Sequence, residues 1–570
     1  MIVLGVASGD QHDPSAALVA DGRILAAAEE ERFNRIKHSV DRNPVRSAKW
    51  CLTQAGVDPR EVDVVAFPWS PEAYRRGRWG HLWAYRDTPA YWPYILKYPK
   101  RNIRRKQRLL DELLDEIGID RARTRVEYVE HHLAHASSAY HLSGWDKAAI
   151  LSIDGYGEYA SVVFARGEGG VITKLGEVTI PDSLGLFYSL VTEFLGFRAN
   201  NGEFKVMGMS AYGDPSKADL SDVIRVDGGD FRLDKHYLWS LIDRSLHRRL
   251  RPKSKELADR FGPPRTGDAL ADPYVHIAAA AQQILEDALA GLVDERLGEV
   301  LRECDGRLCF AGGTALNVRA NGKLITSGRV KELFVQPAAH DAGLSLGAAT
   351  WAANAGGDTL EPMTHAYLGP EYSDAEIAEA LGQFRIPYEE VDDPAETVSE
   401  LLAEGKIVSV MQGRMEWGPR ALGNRSILAN PKVEGISDEV NGRIKFRENW
   451  RPFCPSIPAE HAPALLGHDH PSPYMTFSFP IVERYRDTIG ECLHVDGTGR
   501  PQTVTPESNP LYYDTLARFH KKTGVPAVLN TSLNRRGEPM VCSPQDALAM
   551  FYGSGLEHLV MGRFYVRKER

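Results

Sequence analysis

Twice in the middle of the chain a short apolar run empties into glycines and then into the start of a helix. Leu308 to Phe310 leads into A-G-G-T-A-L-N (Ala311 to Asn317), and Leu333 to Val335 leads to H-D-A-G-L-S-L-G-A-A (His340 to Ala349). A strand, a glycine turn and a helix start leave orphan backbone N–H groups aimed at an anion. Two such units commit the chain to an α/β fold and point to a nucleotide. Ile2 to Val6 reads as a first strand, and Ala16 to Ala20, Asp21-Gly22 and Ile24 to Ala28 as a hairpin. Val62 to Phe67 and Ala148 to Ile153 are further strands. Residues 276 to 297 form a long helix that buries Ile277, Ala281, Ile284, Ala288 and Leu292.

The chemistry-bearing residues sit where these elements end. In E-H-H-L-A-H-A (Glu130 to Ala136), His131 and His135 fall four apart on one helical face, where both can converge on a cation; ordinary hydrogen-bonded packing explains such a pair as readily. No Glu lies between them, so the zinc-protease signature H-E-x-x-H is absent. D-G-Y-G-E (Asp154 to Glu158) reads as a turn in which Asp154 can hold a metal, and Asp341 stands at the second glycine turn. Two histidines and two aspartates suit Fe, Mn or Zn. The loop Gly9 to Ser15 carries His12 and Asp13, and G-E-F-K-V-M-G-M-S-A-Y-G (Gly202 to Gly213) carries Lys205. The charged run after the hairpin, E-E-E-R-F-N-R-I-K-H-S with Lys37 and His38, reads as a solvated edge.

From Tyr74 to Leu110 tryptophans and tyrosines (Trp79, Trp83, Tyr85, Tyr91, Trp92, Tyr94, Tyr98) alternate with lysines and arginines. An insertion packing its aromatics inward ranks first for this stretch, a small-molecule lid second and a nucleic-acid grip third. Linker composition between Ala352 and Thr364 separates residues 1–355 from 365–570, with the C-terminal tail of roughly 25 residues a candidate to pack back on the first domain. Beyond the linker, Arg414, Arg420 and Arg425 are spaced by glycines in G-R-M-E-W-G-P-R-A-L-G-N-R-S (Gly413 to Ser426), which suggests a polyanion pocket. More cations follow in Arg443 to Pro455 and at Arg500, and Val525 to Asn534 is an apolar strand that ends in polar side chains.

At 570 residues the chain exceeds one ordinary core, so about two to four domains are expected. A net charge of −9 argues against a nucleic-acid protein. Six cysteines without a C-x-x-C pair give neither a disulfide framework nor a thiolate zinc site. With no long apolar run and no basic leader, the expected compartment is the cytoplasm, without a membrane partner.

The motifs H-H-L-A-H-A at 131–136, K-V-M-G-M-S-A-Y-G at 205–213, H-D-A-G-L-S-L-G-A-A at 340–349, the arginine loop at 413–426, R-P-F-C-P at 451–455 and L-N-T-S-L-N at 529–534 together resemble the O-carbamoyltransferase family of nodulation-factor and antibiotic-tailoring enzymes. The resemblance implies an N-terminal domain of the actin and sugar-kinase superfold, like threonylcarbamoyl-transfer proteins, followed by an α/β domain like threonylcarbamoyl-AMP synthases. It implies that carbamoyl phosphate and ATP, with Mg, become carbamoyl-adenylate, and that the carbamoyl group passes to a hydroxyl of a small natural product such as an antibiotic or sugar. A tRNA-modifying carbamoyl or threonylcarbamoyl transferase is the alternative. By this likeness His131, His135, Asp154 and Asp341 are Fe(II) ligands, and His12 and Lys37 lie near the transferring group. Gly155, Lys205, Gly208, Gly312, Gly313 and Asn317 would bind the first domain's nucleotide. Arg414, Arg420, Lys445, Arg451, Arg500, Asn530 and Ser532 would bind carbamoyl phosphate and ATP. A homodimer is expected on the same ground.

Overall fold

The computed structural model describes residues 1–8, 12–87, 92–235, 237 and 255–568; positions 9–11 of the polar loop and 88–91 of the basic aromatic stretch, Tyr91 among them, lie outside the described residues, as do the side chains of Tyr94 and Tyr98. The N-terminal apolar runs become β1 (Ile2–Ala7), β2 (Ser15–Ala20) and β3 (Arg23–Glu29). The turn between β2 and β3 holds Asp21 at φ 49° and Gly22 at φ 80°, the left-handed pair a two-residue hairpin needs. β4 (Val64–Phe67) and β5 (Arg125–Tyr128) complete a five-stranded sheet of order β3-β2-β1-β4-β5. In it β1 runs antiparallel to β2 and parallel to β4, which is parallel to β5.

β6 (Lys147–Gly157), β7 (Ala160–Glu168) and β8 (Val171–Thr179) form an antiparallel meander, and after a small hairpin of β9 (Ile224–Asp227) and β10 (Asp230–Leu233) the strands β11 (Arg307–Ala311) and β12 (Glu332–Val335) join β6 in parallel, giving β12-β11-β6-β7-β8. Each sheet therefore has a central first strand, a meander on one side and two parallel strands on the other. This duplication is the actin and sugar-kinase arrangement, and it is visible only once the strands are paired. Two glycines set how closely the layers approach: a Cβ on Gly5 would stand 1.9 Å from the carbonyl oxygen of Ser345, and one on Gly347 would stand 1.9 Å from that of Ala134. The helix Leu344–Ala355 thus lies directly against β1 and against the histidine helix His131–Tyr140.

The chain divides into two compact units, Met1–Asp10, Ser15–Ile24 and Asn43–Pro362 forming the first and Gln11–Pro14, Leu25–Arg42 and Met363–Arg570 the second. Two early segments thus belong with the C-terminal half, an arrangement that linker composition does not reveal. The second unit is built on eight strands, β13 (Glu389–Glu390), β14 (Val408–Met411), β15 (Arg425–Ala429), β16 (Cys454–Pro458), β19 (Gln502–Val504), β20 (Val528–Ser532), β21 (His558–Met561) and β22 (Phe564–Arg567), in the order β13-β22-β21-β14-β15-β20-β16-β19; β17 (Phe479–Pro480) and β18 (Thr498–Gly499) pair separately. The C-terminal tail is part of this sheet, because β21 pairs in parallel with β14 and antiparallel with β22. That corrects the expectation that it returns to the first domain. Ile427, Leu529, Phe551 and Leu559 are fully buried in the core of this unit. Among the described residues no helix is long and apolar enough to cross a membrane.

A candidate metal centre and a buried cation cluster

His131 and His135 project from the helix His131–Tyr140, Asp154 from β6, and Asp341 from the short turn that opens the helix Leu344–Ala355. One ligand atom from each of the four lies within 4.8 Å of all the others. His135 Nε2 is 3.0 Å from Asp154 Oδ2 and 3.7 Å from Asp341 Oδ1, and His131 Nε2 is 3.8 Å from both carboxylates. Separations of 3.0–3.8 Å match what four ligands at about 2.1 Å from one ion require. His131 Nε2 is buried and makes no hydrogen bond among the described residues, an orphan that a cation would satisfy. Burial works against charge on His135, yet its bonds to Asp154 and Asp341 raise it to about 9. Burial likewise opposes the charge on Asp154, but the two histidines hold it well below the usual carboxylate range. The pocket favours positive charge on both counts, and the four residues fit a divalent metal.

Asp154 does not sit in a turn, as the sequence suggested: β6 continues to Gly157 with an irregular register after Ile153. The two N–H groups of Gly155 and Gly313 donate to Asp154 Oδ1 and Oδ2 at 2.6 and 3.1 Å, which fixes its carboxylate. Gly157 matters more, since a Cβ there would fall 2.2 Å from His131 Cγ. Glu158, not singled out in the sequence, takes the His131 N–H at 3.3 Å and is pushed up to about 7 by burial. His132 bonds Ser152 Oγ at 2.7 Å and the Ala160 carbonyl at 3.0 Å, so it serves packing.

Of the glycines expected to approach a nucleotide, Gly312 holds φ at 92° and a Cβ on it would strike the Ile153 carbonyl at 2.2 Å. Lys205 and Gly208 lie on a helix, Glu203–Met209. Asn317 is committed elsewhere: it caps the helix Val318–Thr326 through the Ala320 N–H at 3.1 Å and exchanges two hydrogen bonds with Gln282. A structural role replaces the nucleotide contact expected of it.

In the second unit, His12 and Lys37 belong to a network that also recruits Asp13, Glu31 and His38. Asp13 takes His12 Nδ1 and His38 Nδ1, each at 2.8 Å, while Lys37 Nζ lies 2.9 Å from Glu31. The start of the run read as a solvated edge is instead buried, with Glu29, Glu30, Glu31 and Arg32 at 3–4 % exposure, while Ile36 stays exposed. It can be buried because its charges are satisfied: Arg32 pairs with Glu29 and Glu31 at 3.0 Å and donates to the Gly418 carbonyl at 2.9 Å. Glu31 stays ionised against the cost of burial, at about 2, through Lys37 and Arg32.

The arginine loop separates into two groups. Arg425 is fully buried and donates to the carbonyls of Gln412, Gly413, Asn424 and Pro370 at 2.7–3.2 Å. Arg414 donates to the carbonyls of Leu25, Leu368 and Gly369. These two shape the loop, together with Glu416, whose Oε1 accepts from the N–H groups of Leu422, Asn424 and Arg425. That corrects the reading of Arg414 and Arg425 as anion ligands. Only Arg420 joins the cations downstream. Arg420 and Arg447 are pushed down to about 9 and Arg451 to about 10, chiefly by burial and then by Arg500 and one another. Glu448, 3.5 Å from Arg451, is shared with Arg536 at 3.3 Å.

Lys445 is buried, with Nζ donating to the Ser532 carbonyl at 2.6 Å and to the Asn534 carbonyl and side chain at 2.8 and 2.7 Å; burial and Arg447 push it well below the lysine range. Arg500 donates through Nε and Nη2 to Cys454 Sγ at 3.0 and 2.8 Å. Half-buried guanidiniums that depress one another are costly unless an anion joins them. The arrangement can therefore bind phosphate. Arg447, which the sequence reading left out of the site, belongs to it. Asn530 does not face it freely: fully buried, it donates to Ser456 Oγ at 3.0 Å and Gln502 Oε1 at 3.2 Å, a strut between strands rather than an ATP ligand.

Comparison with known proteins closes the description. Residues 3–350 match the family described as Carbamoyltransferase N-terminus, and residues 399–568 match Carbamoyltransferase C-terminus. The chain is 37% identical over 570 residues to Nodulation protein NolNO of Sinorhizobium fredii, covering 98% of this chain and 79% of that protein. It is 36% identical over 613 residues to the uncharacterized protein sll1178 of Synechocystis sp., with 99% and 96% covered. Among solved structures, HypF of T. kodakarensis is 12% identical, with a TM-score of 0.34 over 63% of this chain and 48% of that one. The chain belongs to the carbamoyltransferase family and is a transferase enzyme.

Proposed function

We propose that this enzyme makes carbamoyl-adenylate from carbamoyl phosphate and ATP in residues 365–570, and uses it, in residues 1–355, to carbamoylate a hydroxyl of a small natural product such as an antibiotic or a sugar. The observation that carries this reading is the cluster of cations in which Arg420, Lys445, Arg447 and Arg451 have their basicity depressed by burial and by neighbouring positive charge, Arg500 among it, as cations left short of negative charge do. Carbamoyl phosphate and the ATP phosphates supply that charge, with Mg bound to ATP. Carbamoyl phosphate, ATP and water give carbamoyl-adenylate, pyrophosphate and phosphate; the cluster holds the phosphoryl oxygens and stabilises the leaving groups. Both substrates are cytoplasmic metabolites, so the cytoplasm is the compartment this reading requires.

In the transfer step the acceptor oxygen attacks the carbamoyl carbon and AMP leaves with the bonding electrons. His12 suits the base that takes the acceptor's proton, because Asp13 engages its Nδ1 and orients the ring. Lys37, anchored by Glu31, offsets charge on the carbamoyl oxygen. His131, His135, Asp154 and Asp341 would hold Fe(II), or another divalent metal, which when bound supplies positive charge for the nucleotide phosphate. Lys205, Gly208 and Gly312 are the remaining candidates for the nucleotide there. The test is pyrophosphate release. Enzyme with ATP and carbamoyl phosphate releases it, and neither substrate alone does; release that ignores carbamoyl phosphate would overturn the reading.

A further inference from the structure

The proposed chemistry leaves the basic aromatic stretch unused. Between residues 74 and 110 the chain carries eleven lysines and arginines against one acid, Asp87, although the whole chain is at −9. The structure explains how this stretch is displayed. In the helix Pro71–Ala84, Tyr74 and His81 turn inward, and Tyr74 stacks on Tyr159 with ring centroids 4.9 Å apart. Gly77 on the same face is packed so closely that a Cβ would meet the Tyr159 ring at 2.5 Å. The opposite face is left outward, and it holds Trp79 at 64 % and Trp83 at 69 % exposure, four residues apart. The expectation of inward aromatics therefore holds for Tyr74 and Tyr85 and fails for these two tryptophans.

Each of the two indoles carries its own cation. Arg78 lies over the Trp79 ring at 4.7 Å and Arg86 over the Trp83 ring at 4.7 Å. Arg75 and Arg76 are exposed beside them. Such a pair has an apolar body and a charged group at the same level, the composition that settles at the headgroup layer of a bilayer, where indole meets acyl chain and guanidinium meets phosphate. The tryptophans stand on the convex outside of a helix. A single-stranded nucleic acid is gripped in a basic groove with stacking platforms on its walls, so the convex display favours a flat partner. Among the described residues no helix is long and apolar enough to cross a membrane, which is silent about resting on one.

We infer that the outer face of the helix Pro71–Ala84, centred on Trp79 and Trp83, docks the enzyme peripherally on an anionic lipid bilayer. The inference is independent of the proposed reaction. Charge complementarity selects the occupant: a basic face on an acidic protein is drawn to an anionic surface while the rest of the molecule is repelled. Each cation near such a surface strengthens partitioning about fivefold.

The test is co-sedimentation of the full-length enzyme with vesicles of phosphatidylcholine and phosphatidylglycerol at 7:3, set against pure phosphatidylcholine, with tryptophan emission recorded in parallel. The inference expects binding to the anionic vesicles only, a blue shift on binding, and at least tenfold weakening in 0.5 M salt. Trp79→Ser/Trp83→Ser and Arg78→Gln/Arg86→Gln should each weaken binding tenfold or more, with far-ultraviolet dichroism and the unfolding midpoint unchanged as the control for folding. Absence of binding, equal binding to neutral vesicles, or binding undiminished in both variants would overturn it. Capture of an RNA oligonucleotide by this face, lost in the same variants, with no affinity for vesicles, would assign the face to nucleic acid instead.

Discussion

Replacing Arg420 with methionine should separate function from stability. The guanidinium is pushed down to about 9, well below the ordinary arginine range, because it is desolvated beside Arg500 and Arg451. Taken at face value, at about 1.4 kcal/mol per pH unit, that displacement is an upper bound of roughly 5 kcal/mol of unfavourable interaction. Arg420 is only partly buried, and screening by water leaves on the order of 1 kcal/mol. Methionine keeps the apolar stem and removes the repulsion. The unfolding midpoint should therefore stay constant or rise by a few degrees. A positioned donor to a developing phosphate charge is worth about 3–4 kcal/mol, so pyrophosphate release should fall about a hundredfold or more. Inorganic phosphate should raise the midpoint of the wild type more than that of the variant, since it binds only the folded cluster. Differential scanning fluorimetry and a coupled pyrophosphate assay read both quantities. A midpoint several degrees lower, with release within threefold of wild type, would refute the reasoning and make Arg420 a structural residue like Arg425.

Three further outcomes follow from other parts of the molecule. Asp154→Asn should abolish retention of a divalent metal, measured by elemental analysis after reconstitution with Fe(II) and desalting, because it removes a carboxylate that lies 3.0 Å from His135 and 3.8 Å from His131. Gly157→Ala removes no ligand, yet its Cβ must displace the His131 ring from 2.2 Å; a cost of about 1–3 kcal/mol and weakened metal retention are expected, against retained far-ultraviolet dichroism. Glu31 is depressed from 4.5 to about 2 in the fold, so its contribution is fully present above pH 4.5 and is lost as pH falls towards 2. In urea titrations the wild type should lose on the order of 3 kcal/mol across that window on this account, and Glu31→Gln should lose correspondingly less.

How far the sequence could be read depends on whether a property is local. The strand–glycine–helix units at Ala311 and His340 announced the α/β class, because φ and helix-start signals lie within a few residues. The i, i+4 spacing of His131 and His135 announced one face of a helix in the same way. The pairing of β6 with β11, whose other edge takes β12, joins residues far apart in sequence, and with it goes the duplication of the sheet. The role of each arginine was equally illegible. Arg414 and Arg425 resemble Arg420 in the sequence, but their N–H groups are taken by carbonyls that only the fold supplies. The acidic run at Glu29 to Arg32 looked solvated because its partners, Lys37 and the carbonyl of Gly418, come into range only after folding. Asn317 and Asn530 misled for the same reason: a polar side chain at the end of a strand or the start of a helix is as often a strut or a cap as a ligand.

Activation and transfer are proposed to occupy separate centres, and one measurement addresses that division directly. Wild type, Arg451→Ala and Asp154→Asn enzymes are each given ATP and carbamoyl phosphate, and carbamoyl-adenylate is quantified by mass spectrometry after rapid quenching. The account predicts that Asp154→Asn forms the adenylate at the wild-type rate and that Arg451→Ala forms about a hundredfold less. Equal loss in both variants, or formation that survives in Arg451→Ala, would contradict it.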